Sequence, residues 1–427
     1  MPMISKSLTI LIGALIPKSL RGGFFGKVKD TKRVLTSSSE LRLFWKIILF
    51  PLNLVFSLVS ACFKIILVWI IPKARYNALV YIFEHFYKDI VTYHVGIKTA
   101  FKRAALLNEL FTKGAEKKKT FGEKNQDITF YVIRPYYFLE PNELIYRNVA
   151  NLLTQYYYVV QKLSHAMRNG WVPIVDWENY GKLPHAEDYP VNGTNNSWEY
   201  YWKQPCDYTL EEVYQSKNVI LSTQNIGQFG YVPNCAMSPP YNTYATRLVE
   251  MCPQYTCVIP LNDITLKYVD DAQEKYFPKN ERVLGVVVRG ASYGRTGTPY
   301  HSHPMQATME ELISAVHKYL EEWEIEYIFF VNEMQELVDV MSEEFGDKLI
   351  VLPRMRDTFE RPADGVTKNP MYADGKRYQT NLDYITEVAL LSRCTSIIGS
   401  MSSGMRTALI WNAGKYEHMH VFEKGLW

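Results

Sequence analysis

Between Val283 and Phe422, short apolar runs alternate with longer stretches of helical period. That alternation restricts the chain to a largely parallel sheet covered by helices on both sides. The run "VLGVVVR", 283–289, predicts a strand buried on both faces. A helix over 309–323 follows, with Met309, Leu312, Ile313, Val316, Leu320 and Trp323 on one apolar face. Strand 327–331, helix 334–345, strand 349–352, helix 382–393, strand 396–399, helix 403–413 and strand 419–422 complete the series. The irregular stretch 353–380 is too long for an ordinary connection and is expected to be a lid or a disordered loop.

The preceding part of the chain carries a second, weaker pattern of the same kind. "ITFYVI", 128–133, predicts a strand, a helix is expected from about Asn142 to Asn169, and "VPIV", 172–175, predicts the next strand. This is a βαβ unit, whose crossover should be right-handed. Residues 186–240 show no simple period, and a helix near 241–251 and a strand near 256–259 follow. A chain of 427 residues exceeds what one core holds. The expected fold class is therefore α/β, with two Rossmann-like lobes, 128–282 and 283–427, meeting at a cleft. The charged stretch 113–127 lacks apolar periodicity and is expected to link the lobes to residues 1–112.

Those first residues pose a membrane question. The run 47–71 is almost continuously apolar, interrupted by Pro51, Asn53 and Lys64. At about 1.5 Å per residue it would cross a hydrocarbon core of about 30 Å. Its flanks are basic on both sides (Arg42, Lys46; Lys73, Arg75), which gives no orientation. A hairpin or an in-plane helix bent at Pro51, with Lys64 reaching the surface, satisfies these features better than a span. A buried core helix is the alternative. A further patch at 8–16 is too short to span. From Tyr76 to Phe111 the pattern is amphipathic, with Lys88, Lys98, Lys102 and Arg103 on the polar side. Such a helix lies along an anionic membrane surface or simply connects. Residues 1–112 are thus expected to be an apolar, helical, membrane-associating region.

Composition excludes several classes. A net charge of +3 argues against nucleic acid as a partner. The six cysteines form no Cys-x-x-Cys pair and no zinc spacing with histidine, which fits a reducing compartment. Asn192-Gly-Thr and Asn195-Asn-Ser match the glycosylation pattern, a match that is common by chance.

Candidate chemistry gathers at strand ends. In open α/β sheets ligands sit beyond the carboxyl ends of the strands, and Arg289 stands at such an end; the alternative is a surface arginine. Strand 396–399 runs into "GSMSSGMRTAL", where Ser400, Ser402, Ser403 and Gly404 open a helix. Its first N–H groups and dipole would favour phosphate, though an ordinary serine cap has the same residues. Together, Arg289 and this helix would hold a diphosphate between them. Neither the Gly-x-Gly-x-x-Gly nor the Walker pattern is present.

Three segments carry a family resemblance: "GVVVRGASYG…HSHP", "YIFFVNE" and "LSRCTSIIGSMSSGMRTALI". In order and spacing they are similar to the donor-site motifs of the GT-B fucosyltransferase-like superfamily, which includes α-1,6-fucosyltransferases and nodulation fucosyltransferases. Upstream, "GWVPIVDWENY" and "NNSWEYYWKQPCDYTLEEVYQSKNVILS" look like the N-terminal lobe of bacterial glycosyltransferases from surface-polysaccharide clusters. The resemblance covers about 128–427. It implies that Arg289 grips the diphosphate of GDP, that Ser402 and Ser403 stand at the phosphate end, and that Glu333 lies at the nucleotide or is a surface residue. His303-Pro304 matches a His-Pro pair. Gly290 stands where the α-1,6 enzymes carry a second arginine, and Ser292 where an aspartate is usual. The catalytic base is left unassigned, with His301 and His303 as candidates that are equally compatible with structural roles.

The implied activity is transfer of a sugar, fucose from GDP-fucose, to a glycan or lipid-linked glycan in surface polysaccharide synthesis. It would run without a metal or other cofactor, at the cytoplasmic face of the bacterial inner membrane. The segment "IVDWEN" places Asp176, Trp177 and Glu178 in the first lobe, on the expected acceptor side. Two other readings stay open. Asp176 and Glu178 would serve a metal-dependent transferase of another fold, and the missing arginine and aspartate would suit a non-catalytic sugar-binding or scaffold protein at the membrane.

Overall fold

The computed structural model describes residues 116–136, 151–180, 183, 185–224, 237, 239–290, 304–358 and 375–425, with isolated residues and pairs elsewhere. The chain divides into two compact units, one of Met1–Lys113 with Leu139–Ile145, the other of Gly114–Phe138 with Tyr146–Trp427. In the former only scattered residues are described, all but Leu139 helical, among them Phe86 and Phe101, whose rings lie 4.9 Å apart. The apolar run 47–71 lies outside the described residues except for Cys62, and the patch at 8–16 lies wholly outside them. Among the described residues, no helix is long and apolar enough to cross a membrane.

The larger unit holds both lobes. The first contains β1 (Lys117–Lys119), β2 (Lys124–Ile133), β3 (Val172–Val175) and β4 (Ser216–Leu221), in the order β1-β4-β2-β3. Strand β2 runs parallel to β3 and β4, while β1 is an antiparallel edge. Part of the expected linker 113–127 is therefore sheet: Lys117, Lys118 and Lys119 pair with Leu221, Ile220 and Val219. The ladder uses only backbone groups, so an edge strand tolerates three lysines that a pattern search reads as loop.

Helix α1 (Leu152–Arg168) begins later than the expected Asn142. Asn151, in extended conformation, accepts the N–H of Thr154 and so fixes the first turn. The helix then buries Tyr156, Tyr157, Val160 and Leu163. Helix α2 (Tyr241–Met251) falls where expected. Where a strand was expected near 256–259 none forms: a helical turn, Pro253–Thr256, runs into non-strand backbone, with proline at its first position, where its missing N–H costs nothing. Ile259 is buried all the same, which accounts for the apolar signal. Helix α3 (Asp263–Tyr276) was not expected; it buries only Thr265 and Val269, too thin a stripe to show as a period.

The second lobe follows its predicted alternation closely. Its strands are β5 (Val283–Val287), β6 (Tyr327–Val331), β7 (Leu349–Ile350), β8 (Ser396–Gly399) and β9 (His418–Val421), in the order β9-β8-β5-β6-β7. All neighbours are parallel. In chain order this is 5-4-1-2-3, so strand order reverses between β5 and β8, the switch point at which open sheets bind ligands. Helices α4 (Met309–Glu322), α5 (Gln335–Phe345), α6 (Arg377–Leu391) and α7 (Ser403–Asn412) connect the strands.

On one face of this sheet Leu284, Val286, Ile328, Phe330 and Ile398 pack with Leu312, Val316, Val338 and Met341. On the other, Val283, Phe329 and Ile397 join Leu390, Met405 and Leu409 in a core that continues into Tyr156, Tyr157 and Leu163 of the first lobe. The lobes thus share one apolar interior. At the switch point, a Cβ on Gly399 would stand 2.1 Å from the Val287 carbonyl oxygen, so only glycine lets β8 end there. Of the expected lid 353–380, residues 359–374 lie outside the described part, and α6 already begins at Arg377.

Candidate active site

Past Val287 the backbone of β5 leaves its ladder, whose last pairs are Val287 with Val331 and Val287 with Gly399. Side chains then take over. Asn332 donates Nδ2 to the Val288 carbonyl at 2.9 Å. The N–H of Arg289 donates to Gln306 Oε1 at 2.9 Å, and the N–H of Gly290 donates to Glu333 Oε1 at 3.0 Å. Arg289 is half-buried and held by its backbone on a preorganised segment.

Glu333 therefore spends one carboxylate oxygen on the chain itself. Gly290 has no room for a side chain: a Cβ would lie 2.4 Å from Met334 Cγ and 2.8 Å from Asn332 Oδ1. Met334 and Asn332 occupy the space in which a second arginine would begin.

Across the switch point, the turn after β8 opens α7. Ser400 is buried; its N–H donates to the Val287 carbonyl at 3.2 Å and its Oγ accepts the N–H of Ala307 at 2.8 Å. Ser402 is the N-cap and accepts the N–H of Met405 at 3.1 Å. Ser403 Oγ lies 2.8 Å from Thr154 Oγ1 and accepts Asn151 Nδ2 at 3.4 Å. All three hydroxyls are engaged, so what this turn offers an anion is the first-turn backbone N–H groups of Ser403 and Gly404 at the positive end of the helix dipole. One turn along, Arg406 is 1% exposed and its guanidinium carbon sits 4.0 Å from the centre of the Tyr157 ring. This buried cation was missed from sequence, where it reads as one polar residue in "GMRTAL".

The structure thus brings Arg289, Glu333 and the turn Ser400–Gly404 to the carboxyl ends of three neighbouring strands. His301 and His303 lie outside the described residues. The chain is described again from Pro304, and the N–H of Met305 donates to the Gly425 carbonyl at 2.9 Å.

The first-lobe candidates separate from one another. Asp176 is fully buried at the end of β3. Its Oδ1 accepts the N–H groups of Glu178 and Asn179 at 3.0 and 2.9 Å; its Oδ2 accepts Asn179 Nδ2 at 3.1 Å and the Tyr214 hydroxyl. Burial, and then the neighbouring carboxylate, push the Tyr214 hydroxyl far above the usual tyrosine range, so it stays a donor. Trp177 is 2% exposed and sits edge-on to Trp198 at 5.3 Å. Asp176 and Trp177, expected on the acceptor side, are enclosed by their own lobe because the turn needs the first as acceptor and the core takes the second. Glu178 alone of the three is exposed. No group of three or more potential metal ligands occurs among the described residues.

A buried charge cluster also escaped the sequence reading. Glu387 on α6 is fully buried; Arg354 Nε stands 2.8 Å from its Oε1 and Arg356 Nη2 stands 3.5 Å from it. Arg354 also donates to the Asn332 carbonyl at 3.1 Å, which ties the cluster to the segment holding β5. Burial outweighs the two arginines and raises the Glu387 carboxyl to about 7. The only signal in the sequence was a Thr386-Glu387 pair inside an otherwise apolar helical face.

No family model matches the chain, and no curated protein matches its sequence. Several solved structures resemble it. The fucosyltransferase NodZ from Bradyrhizobium aligns over 66% of this chain and 92% of its own, with 12% identity and a TM-score of 0.36. POFUT1 in complex with GDP aligns over 69% and 99%, with 8% identity and a TM-score of 0.33. A mutant of Arabidopsis thaliana FUT1 in complex with GDP aligns over 78% and 77%, with 11% identity and a TM-score of 0.32. These neighbours are fucosyltransferases.

Proposed function

We propose that the chain is a glycosyltransferase that takes its sugar from a nucleoside diphosphate. One observation carries the reading: Arg289 and the N-terminus of α7 end adjacent parallel strands on either side of the switch point, joined through Gln306. As the sugar–phosphate bond breaks, negative charge grows on the leaving diphosphate. A guanidinium fork on one side and helix N–H groups on the other stabilise it more in the transition state than in the ground state. The acceptor hydroxyl attacks from the opposite face of the sugar and loses its proton to a base. His301 and His303, which follow Arg289 in sequence, are the candidates for that base.

The donor in this reading is GDP-fucose, on the strength of the three motifs. Countercharge from Arg289 and α7 does the work of a divalent cation, so transfer runs without metal. The acceptor is a glycan or lipid-linked glycan of surface polysaccharide synthesis. The apolar run 47–71, with its basic flanks, supports attachment to the cytoplasmic face of the bacterial inner membrane. Incubating the purified full chain with GDP-fucose in EDTA tests the reading. Slow release of GDP by the wild type and none by Arg289→Ala is the expected result; no release from GDP-, UDP- or CMP-linked sugars contradicts it and favours a scaffold.

A further inference from the structure

We infer that Gln306 is a positioning residue for the diphosphate clamp, holding Arg289 in register with the turn that opens α7; this rests on the donor-site reading above. Arg289 stands beyond the last ladder pairs of β5, so the sheet itself no longer fixes it. Three side chains hold the backbone there, those of Asn332, Gln306 and Glu333. Asn332 and Glu333 both follow β6 and secure only that side. Gln306 reaches both halves of the clamp. Its Oε1 accepts the Arg289 N–H at 2.9 Å, while its Nε2 donates to the Met401 carbonyl at 3.3 Å and to the Pro304 carbonyl at 3.2 Å. The next residue reinforces the link, with the Ala307 N–H donating to Ser400 Oγ at 2.8 Å.

The chemistry requires an amide at this position. Gln306 must accept from one backbone N–H and donate to two carbonyls without carrying charge. A glutamate keeps the acceptor but turns the second oxygen against two carbonyl oxygens, and an asparagine is one methylene too short to span them. A diphosphate gripped from two sides depends on the spacing between the grips, and errors near an ångström in such spacing are costly. Gln306 sets that spacing without touching the ligand.

The test uses the full chain and two probes, GDP and GMP, by calorimetry, with melting temperatures recorded alongside. Gln306→Ala and the near-isosteric Gln306→Glu should each weaken GDP binding about tenfold, the factor that corresponds to about 1.4 kcal/mol. GMP binding should change by less than about twofold, since GMP lacks the distal phosphate. In an Arg289→Ala background, Gln306→Ala should cause no further loss. If the Gln306 variants lower the melting temperature but keep the preference for GDP over GMP, while Arg289→Ala abolishes it, Gln306 is only a loop staple and the inference is overturned. If Arg289→Ala leaves that preference intact, the donor-site reading itself fails, and the inference with it.

Discussion

The hydroxyls of Thr154 and Ser403 lie 2.8 Å apart and join the first turn of α1 to the first turn of α7. Trp411 Nε1 donates to the Tyr156 hydroxyl at 2.8 Å along the same seam, and Arg406 lies against Tyr157. The helix proposed to face phosphate is thus anchored to the other lobe by its own first turn. Thr154→Val and Ser403→Ala should each lower stability, and a double-mutant cycle in urea should give a coupling of about 0.5–1.5 kcal/mol. Additive effects would mean that the two hydroxyls do not bond.

Gly290 offers a steric prediction. With Met334 Cγ 2.4 Å and Asn332 Oδ1 2.8 Å from the added Cβ, Gly290→Ala forces the β6 end to move. Overpacking of this kind costs about 1–3 kcal/mol. Thermal unfolding of Gly290→Ala and Gly290→Arg measures it, and the arginine variant should bind GDP no better than wild type. Tighter GDP binding by Gly290→Arg would show that the site has space for a second guanidinium.

The buried carboxyl of Glu387 predicts a pH dependence. Its folded value is raised from the ordinary carboxylate range to about 7. Its contribution to stability is therefore fully present below the unfolded value and is lost as pH rises through about 7. Urea midpoints of wild type should fall between pH 5 and pH 8 by a component that Glu387→Gln, which mimics the protonated form, removes. A variant that instead loses stability relative to wild type at pH 8 would show that Arg354 and Arg356 outweigh burial.

Asp176 accepts from four donors inside its lobe, so its loss should be felt in folding. Asp176→Ala should destabilise by about 1.5–3 kcal/mol, the scale for hydrogen bonds to a charged group. EDTA should leave the melting temperature of the wild-type chain unchanged. A drop in EDTA that manganese or magnesium reverses would favour the metal-dependent reading.

Much of the second lobe was legible in the sequence because fully buried parallel strands read as unbroken apolar runs. Val283–Val287, Tyr327–Val331 and Ser396–Gly399 fall almost where the pattern put them. The first lobe was less legible. Lys117–Lys119 pairs only through its backbone, and Ser216–Leu221 is half polar, with Asn218 facing outward to bond the Gln126 carbonyl. At the site, Arg289 and the serines could be named from their places at strand ends. The partners that hold them could not. Gln306 and Met401 are far apart in sequence, as are Gly290 and Glu333, and no local period encodes such meetings. The same holds for Asp176, whose turn role depends on Tyr214 arriving from another segment.

Whether Arg289 grips a nucleoside diphosphate is measured by calorimetric titration of GDP into wild type and Arg289→Ala. The variant should lose about 1.5–3 kcal/mol in binding, the range for hydrogen bonds to charged groups, with an unchanged melting temperature. A variant that stays folded and binds GDP as tightly as wild type would contradict it.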